Sequence, residues 1–280
     1  MRVAVFYNKS RIGLEKLSDL SREIETHGIE VQFCSDRSSC PVEGAEAILT
    51  FGGDGTVLKA VPMASSFDLP IMSFRVGSVG FLAAFEMGNL HYALDLLLDK
   101  RLNCDERPLM EASFGSEKFL ALNDFGVERS SPSRTVSLLI AVDNHSVYPV
   151  VGDGIIFSTN TGSTAYSMAA GGALVDPQAQ CFQITPICAH NPFVGPLVLS
   201  SSRRVRLTIL KDKGFPLEAY VDGSFNRKVF QGTEIDVRMS EKTVKLLREG
   251  DFDFVALLKE KLAFGGRLKD DIGYGTGQTR

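Results

Sequence analysis

The first hundred residues alternate short β-branched, apolar runs with segments of helical periodicity, and this alternation constrains the fold more than any other feature. Helical spacing of apolar residues separates the runs, for example over residues 14–24. Strands that alternate with helices form a parallel sheet covered by helices. We therefore predict an α/β, Rossmann-like domain over residues 1–104. Its predicted strands span residues 3–7, 29–33, 45–51 and 70–74.

After about residue 105 the pattern changes to short runs with period-two alternation and turn residues between them. This pattern predicts an all-β, sandwich-like second domain over residues 105–253, with one short helix within residues 164–172. Helical spacing returns over residues 254–262, and we expect the segment 254–280 to pack back on the first domain. The predicted strands of the second domain span residues 119–127, 135–142, 203–210, 217–221 and 234–239.

The charge balance and the cysteines limit the possible partners. Thirty Lys and Arg oppose 34 Asp and Glu, for a formal charge of -4, so a nucleic acid or an anionic membrane surface is not expected as a partner. No apolar run approaches the roughly 18 residues of a membrane-spanning helix. Five scattered cysteines without a C-x-x-C pair predict reduced thiols, a cytoplasmic location and no metal site.

A glycine-rich loop follows the third predicted strand and precedes a predicted helix, which we expect Pro62 to perturb. Glycines allow backbone N–H groups to approach an anion, and a helix N-terminus adds partial positive charge. Asp54 does not fit a simple phosphate cradle, because a carboxylate repels phosphate. A kinase needs such a carboxylate as a proton acceptor, but Asp-Gly is also a common turn, and both interpretations remain open. The predicted contacts to a phosphate donor are Gly52, Gly53, Gly55 and Thr56.

Two further polar segments interrupt the β pattern. Residues 152–167 carry six hydroxyl side chains and Tyr166, a combination that suits a ribose, an adenine edge or phosphate oxygens. Taken alone, this segment is more simply a hydroxyl-rich turn in which Thr164 caps a helix. Asn123 and Asp124 lie inside an apolar strand pattern, where they either face solvent or bind a diol; alone, the solvent-facing interpretation is favoured.

In combination these segments resemble the NAD kinases, which use ATP or polyphosphate to phosphorylate the adenosine 2′-hydroxyl of NAD. They occur in the family's order and cover nearly the whole chain. The hydroxyl-rich segment is highly specific, whereas GGDGT alone also occurs in diacylglycerol and sphingosine kinases. The matching stretches are FGGDGTVLKA (51–60), GSVGFLA (77–83), LND (122–124), GDGIIFSTNTGSTAYSMAAGG (152–172), ITPICAH (184–190) and YVDG (220–223).

The resemblance implies a role for each matching residue. Asp54 is implied as the general base and also, with Gly55, as part of the NAD site. Asn123 and Asp124 are implied to hold an NAD ribose, and Asp153 to contact the nicotinamide end. Two basic residues are implied to lie near phosphate, and the others around the dinucleotide. These remaining implied NAD contacts are Lys59, Arg134, Thr161, Thr164, Ala165, Tyr166, Ala169, Cys188 and Ser224.

The resemblance further implies Mg²⁺ or another divalent cation, NAD and ATP as substrates with polyphosphate as an alternative donor, and a homodimer or homotetramer. Arg75 replaces an Asn that is usual in bacterial members, so contacts at that position are not carried over. Asn160 replaces the frequent Pro of the S-T-P-T-G turn. Two alternatives remain at this stage, a lipid kinase of the diacylglycerol or sphingosine type and a non-catalytic nucleotide-binding protein.

Overall fold

A computed structural model describes residues 1–34, 42–77, 80–132, 134–143, 145–190 and 194–265. The N-terminal part forms the predicted parallel sheet, in which β1 pairs with β2 and β3, and β3 pairs with β4. A 3-10 turn, Met87–Asn89, precedes the third helix. The elements of this part are β1 (Arg2–Tyr7), α1 (Leu14–Glu25), β2 (Glu30–Cys34), β3 (Ala47–Gly52), α2 (Asp54–Phe67), β4 (Ile71–Arg75), β5 (Phe85–Glu86) and α3 (Leu90–Leu98).

Helix α2 contains a proline but is not interrupted by it. Pro62 lies inside the helix, which continues to Phe67, so the expected perturbation at Pro62 is wrong. Val57, Val61 and other residues of α2 are fully buried against the sheet. Burial of this face offsets the backbone hydrogen bond that a proline removes.

The second part is β-rich, as predicted, with more strands than the sequence pattern indicates. Its strands are β6 (Asn103–Phe114), β7 (Glu117–Ala121), β8 (Asp124–Arg129), β9 (Val136–Val142), β10 (Ser146–Gly152), β11 (Gly154–Thr159), β12 (Cys181–Ile187), β13 (Leu197–Ser200), β14 (Arg204–Lys211), β15 (Leu217–Val221), β16 (Ser224–Val229) and β17 (Glu234–Arg248). A 3-10 turn, Thr161–Thr164, leads into the short helix α4 (Tyr166–Ala169). Helix α5 spans Phe254–Leu262, as expected from its spacing.

One sheet runs through both parts of the chain. Within the described residues it has eleven strands. Eight of them follow the order β10-β9-β14-β17-β4-β3-β1-β2, while β5 pairs with β4, β6 with β17, and β7 with β6. Strand β17 pairs in parallel with β4 through Leu246 and Ile71. The second sheet has six strands, in the order β13-β12-β11-β8-β15-β16. Because β17 joins the parallel strands to the β-rich part, the boundaries at residues 104 and 253 remain a prediction.

Three apolar clusters hold these layers together. Two of them cover the faces of the parallel sheet. The third lies between the two sheets of the β-rich part, where Phe125 and Phe157 of one sheet meet Leu138 and Val237 of the other. This interior is the predicted sandwich core.

The structure bears on two expectations, the one about membrane-spanning helices and the one about reduced cysteines. No helix there combines the length and the apolar character that crossing a membrane requires. Cys104, Cys181 and Cys188 carry free thiols, but Cys34 is disulfide-bonded. The expectation of uniformly reduced cysteines is therefore wrong at Cys34.

Candidate active site

The glycine-rich loop lies at the carboxyl edge of the parallel sheet, between β3 and α2. Gly52 is packed rather than open, since a Cβ at this position would overlap the side chain of Thr56, which is itself buried. Gly53 and Gly55 have open space where a Cβ would project, and Gly55 is exposed. Of the four predicted donor contacts, the backbone of Gly53 and Gly55 is thus the accessible part.

Asp54 is the first residue of α2, and its carboxylate is held by the loop that follows β4. It accepts hydrogen bonds from the backbone N–H groups of Phe81, at 2.6 Å, and Leu82, at 3.0 Å. Gly80 lies so close that any Cβ there would overlap the Asp54 carboxylate. Two backbone donors therefore fix the orientation of the Asp54 carboxylate. From the sequence alone, Asp54 could equally have belonged to an ordinary Asp-Gly turn.

Asn123 and Asp124 are held by Asp222, which is not among the site residues predicted from the sequence. Asp222 adopts a left-handed conformation (φ 48°) in the turn between β15 and β16. Its carboxylate accepts backbone N–H groups of Leu122, at 3.0 Å, Asn123, at 2.7 Å, and Asp124, at 3.2 Å. The Asp222 N–H in turn donates to the Asp124 carbonyl at 2.9 Å. The YVDG motif was the available signal, and only the fold shows what its Asp contacts.

The hydroxyl-rich segment packs directly on Asn123. The Thr159 N–H donates to the Asn123 carbonyl at 2.9 Å, and its hydroxyl donates to the Leu122 carbonyl at 2.6 Å. A Cβ at Gly162 would lie within 3 Å of three backbone atoms of Asn123. Only a glycine at this position permits so close an approach of the two backbones.

Most hydroxyls of this segment form hydrogen bonds within the protein itself. Ser158, Ser163 and Ser167 are fully buried; the first two donate to backbone carbonyls, and Ser167 pairs with the hydroxyl of Thr185 at 2.7 Å. Thr164 does not cap α4, as its hydroxyl donates to the Thr161 carbonyl at 3.4 Å. The hydroxyls therefore shape the loop.

The Asn that replaces the usual proline has a structural role. The Asn160 amide donates to the carbonyls of Pro177 and, at 2.7 Å, Ala179, and its oxygen accepts the Thr161 N–H at 2.9 Å. The side chain is buried, so all these bonds are shielded from water. Asn160 thereby ties the turn to the following loop, in place of the rigidity that proline would supply.

Tyr166 is the exposed aromatic residue of this segment. The residue is 43% exposed, and its hydroxyl is hydrogen-bonded to Glu128. Burial of part of the ring, together with Glu128, raises the pKa of Tyr166 to about 12. Cys188 and Asp124 lie within electrostatic range of Tyr166, and Cys188 has a left-handed backbone (φ 46°). The fold thus brings together residues that are more than sixty positions apart.

Asp124 is 5% exposed, and burial raises its pKa to about 7, with Asp222 and Glu128 acting in the same direction. Both neighbours are acidic, so they disfavour a further negative charge. Asp124 therefore changes its protonation near neutral pH, unlike an ordinary carboxyl group with a pKa of 3.8.

The Asp124→Asn variant is expected to raise the melting temperature more at pH 8 than at pH 5. The folded protein binds the Asp124 proton more tightly than the unfolded chain, so this carboxyl lowers stability progressively as pH rises from 3.8 to about 7. Asparagine carries no such charge at either pH. Thermal unfolding at the two pH values measures the difference, and an equal shift at both would contradict the raised pKa.

The other implied contacts are more widely spread. Asp153 pairs with Arg129 at 2.8 Å, and Arg134 precedes Val136, which pairs with Gly152, so both lie at one end of the β9–β10 hairpin. The remaining four lie at or near the surface. Thr164 and Ala165 are half-buried, Ala169 is exposed on α4, and Ser224 is exposed at the start of β16, beside the Asp222 turn.

Two basic residues singled out in the sequence, Lys59 and Arg75, lie on different elements. Lys59 is exposed and lies five residues along α2 from Asp54, which places it about 140° around the helix. Arg75, the residue that replaces the usual Asn, forms an ion pair with Glu86 across β4 and β5. Its charge is therefore partly neutralised by the protein.

A shared core and a buried ion network connect Asp54 with the Asn123 region. Leu82 and Leu122 belong to the same apolar cluster. Arg107, 2% exposed, donates to Asp105 at 2.6 and 2.7 Å and to the Thr161 hydroxyl at 3.3 Å. Arg248 donates to the same Asp105 at 2.7 Å and lies within electrostatic range of Asp54. Sequence reasoning missed both arginines, because nothing in a strand pattern distinguishes them from solvated charges.

No group of three or more His, Cys, Asp and Glu side chains suited to a metal ion occurs among the residues that the structure describes. The Asp54 carboxylate is engaged with backbone N–H groups, and the Asp105 carboxylate pairs with Arg107.

Comparisons with known proteins match both parts of the chain. A family model described as the ATP-NAD kinase N-terminal domain matches residues 9–102, and one described as the ATP-NAD kinase C-terminal domain matches residues 122–249. The NAD kinase of Petrotoga mobilis is 31% identical over 278 residues, covering 96% of this chain and 100% of the relative. That of Methanothermobacter thermautotrophicus is 35% identical over 222 residues, covering 79% and 78%.

Solved structures share the fold. Yeast NADH kinase complexed with NADH superposes with a TM-score of 0.78 at 23% identity, covering 96% of this chain and 89% of that one. An NAD kinase from Archaeoglobus fulgidus in complex with ATP gives a TM-score of 0.75 at 24% identity, covering 94% and 97%. The α/β part, the β sandwich and the C-terminal helix are thus a known combination.

Proposed function

This chain belongs to the NAD kinase family, and we propose that Asp54 is the general base with which it transfers the γ-phosphoryl group of ATP to the adenosine 2′-hydroxyl of NAD. As the 2′-oxygen bonds to the γ-phosphorus, Asp54 takes the hydroxyl proton. The bond from that phosphorus to the β,γ-bridging oxygen breaks, and ADP and NADP are the products. The observation that carries this proposal is the Asp54 carboxylate, fixed by two backbone donors at the carboxyl edge of the sheet.

The NAD site proposed here centres on the Asn123–Asp124 pair. Asp222 orients the backbone of this pair. The half-buried side chain of Asn123 can then meet the hydroxyl groups of a ribose, and the buried Asp124 carboxyl lies next to it. The exposed ring of Tyr166 offers a flat surface for a base or ribose. The further proposed contacts are Gly55, Lys59, Arg134, Asp153, Thr161, Thr164, Ala165, Ala169, Cys188 and Ser224.

For the donor, we propose that the phosphates meet the backbone at the start of α2. The accessible glycines Gly53 and Gly55 support this role, because backbone N–H groups at a helix N-terminus attract anions. Gly52 and Thr56 serve it indirectly by packing together beneath the loop. Polyphosphate offers the same oxygen atoms and is the alternative donor.

We propose that the divalent cation, Mg²⁺ in the first instance, enters as part of the nucleotide substrate. Mg²⁺ is usually held by one or two carboxylates together with substrate phosphates and water. Within the described residues no larger ligand cluster exists, which fits a cation carried by ATP rather than a resident one. Bound there, the cation would neutralise phosphate charge.

The assembly and the location are further proposals. A homodimer or homotetramer is supported by exposed apolar residues on the two outer strands of the six-stranded sheet, namely Leu197, Val198 and Phe225. A cytoplasmic location is supported by the free thiols of Cys104, Cys181 and Cys188. Light scattering of the purified protein measures the first, and localisation of the tagged chain the second.

The two alternatives from the sequence are not favoured. A lipid kinase would share the GGDGT loop, but the named relatives and both family models are NAD kinases along the length of the chain. A non-catalytic binding protein would have no use for a carboxylate held in a single orientation beside a candidate phosphate site.

The purified protein, supplied with NAD, ATP and Mg²⁺, is expected to form NADP, detected with an NADP-specific dehydrogenase. Parallel reactions replace NAD with a diacylglycerol or with sphingosine, with labelled ATP as the donor. Label that enters lipid but not NAD would contradict the proposal. Tight binding of NAD without product, whichever donor is supplied, would instead indicate a binding protein.

A further inference from the structure

The C-terminal helix reaches the glycine-rich loop through a lysine. Lys261, in the last turn of α5, donates a hydrogen bond from its ammonium group to the carbonyl of Gly80. Its Nζ also lies 5.8 Å from the centre of the Phe81 ring. Lys261 is thus more than 200 residues from Asp54 in the sequence, yet it contacts the loop that holds Asp54.

The contact involves one particular peptide group. The Gly80 carbonyl and the Phe81 N–H belong to the same planar peptide unit, and this N–H donates to the Asp54 carboxylate at 2.6 Å. The order of groups is therefore ammonium, carbonyl, N–H and carboxylate. A cation on the carbonyl polarises the peptide and strengthens the hydrogen bond that its N–H donates. The space for this arrangement depends on Gly80, where a Cβ would overlap the carboxylate.

Charged groups surround the ammonium on several sides. Asp54 and Glu260 are the nearby acidic groups, and Arg75 and Arg248 the nearby basic ones. Burial lowers the pKa of Lys261 from its ordinary value, while Asp54 opposes that change. Arg248, from β17, also lies within electrostatic range of Asp54. The Asp54 carboxylate therefore lies within electrostatic range of two cationic side chains from the C-terminal part of the chain.

We propose that Lys261 is a positioning residue for phosphoryl transfer, which acts through the Gly80–Phe81 peptide to orient the Asp54 carboxylate and to offset its charge beside the donor phosphates. This inference rests on the proposed function of Asp54. It also answers the difficulty raised by the sequence, that a carboxylate in a phosphate loop repels the substrate. The ammonium supplies a compensating charge from its place on the Gly80 carbonyl.

The test compares Lys261→Met with Lys259→Met. Lys259 lies in the same helical turn and is exposed, so its removal controls for the loss of one positive charge from α5. Lys261→Met is expected to lower kcat by about 10- to 100-fold, the range set by one hydrogen bond to a charged group. The KM for NAD stays within about twofold, because Asn123 and Asp124 are held independently. Lys259→Met keeps the wild-type kcat.

Rescue by a second cation separates positioning from simple support of the fold. Lys261→Arg retains a cation and is expected to recover most of the lost activity. Melting temperatures of all three variants report on folding.

The outcomes separate this inference from the proposed function. No NADP from the wild-type protein would remove the proposed function. An active wild type, with Lys261→Met within twofold in kcat, would overturn the inference alone. A fall in activity that follows a lower melting temperature, with no recovery in Lys261→Arg, would also overturn it, because the lysine would then only support the fold.

Discussion

Replacing Asp54 with asparagine is expected to lower kcat by about 10²- to 10⁴-fold, the range that removal of a general base produces. The amide cannot accept the proton of the 2′-hydroxyl, while the contacts proposed for NAD at Asn123, Asp124 and Tyr166 are unchanged. The affinity for NAD, measured by titration calorimetry, is therefore expected to stay close to that of the wild type. The variant is therefore expected to lose catalytic turnover and to keep its binding of NAD.

Asp68→Asn is the matched control for this variant. Asp68 ends the same helix, is 82% exposed and pairs with Lys245 on the surface. Its left-handed backbone (φ 53°) suits asparagine, so the substitution removes an acidic group from α2 without strain. Wild-type kcat is expected for Asp68→Asn. A nearly normal kcat in Asp54→Asn, with an unchanged melting temperature, would exclude Asp54 as the base.

Gly162→Ala is expected to reduce kcat/KM for NAD by about 10²-fold, although it adds only a methyl group. The new Cβ would lie 2.1 Å from the Asn123 carbonyl oxygen, so the Asn123 backbone or the 159–162 loop must move. Displacement of a positioning group by about 1 Å costs on the order of 10²-fold in rate. Such overpacking also destabilises a protein by typically about 1–3 kcal/mol.

Steady-state kinetics with varied NAD measures this effect, and urea unfolding measures the stability. Gly88→Ala is the control, because a Cβ at Gly88 meets no atom within 4 Å and its backbone is not left-handed. Gly88→Ala is expected to retain wild-type kinetics. If Gly162→Ala had the same kinetics as Gly88→Ala, the close approach of the loop to Asn123 would have no part in binding NAD.

Local patterns in the sequence predicted much of the fold. The first strands, the helix over residues 254–262 and the β-rich second part follow from apolar periodicity, which depends on neighbouring residues alone. The same reasoning joined β7 and β8 into one strand over residues 119–127, although the chain turns between Ala121 and Asp124. That turn is stabilised by Asp222, about a hundred residues away, which no local pattern reveals.

The hydroxyl-rich segment shows a second limit of sequence reasoning. Its serines and threonines have the composition of a nucleotide site, and a resemblance to NAD kinases supports that interpretation. Burial decides instead which side chains remain accessible: Ser158, Ser163 and Ser167 face protein atoms, whereas Tyr166 faces solvent. Composition reports the ability to form hydrogen bonds but not the partner.

By itself, the sequence determined the family, the two kinds of architecture and the identity of Asp54 as the carboxylate to test, because these rest on contiguous motifs and short-range periodicity. The tertiary structure alone decided what surrounds that carboxylate. Asp222, Arg107 and Lys261 reach the site from distant segments, through a turn, a buried ion network and a C-terminal helix. Their roles depend on long-range packing, which brings charged side chains from distant parts of the chain into hydrogen-bonding distance of the loops around Asp54 and Asn123.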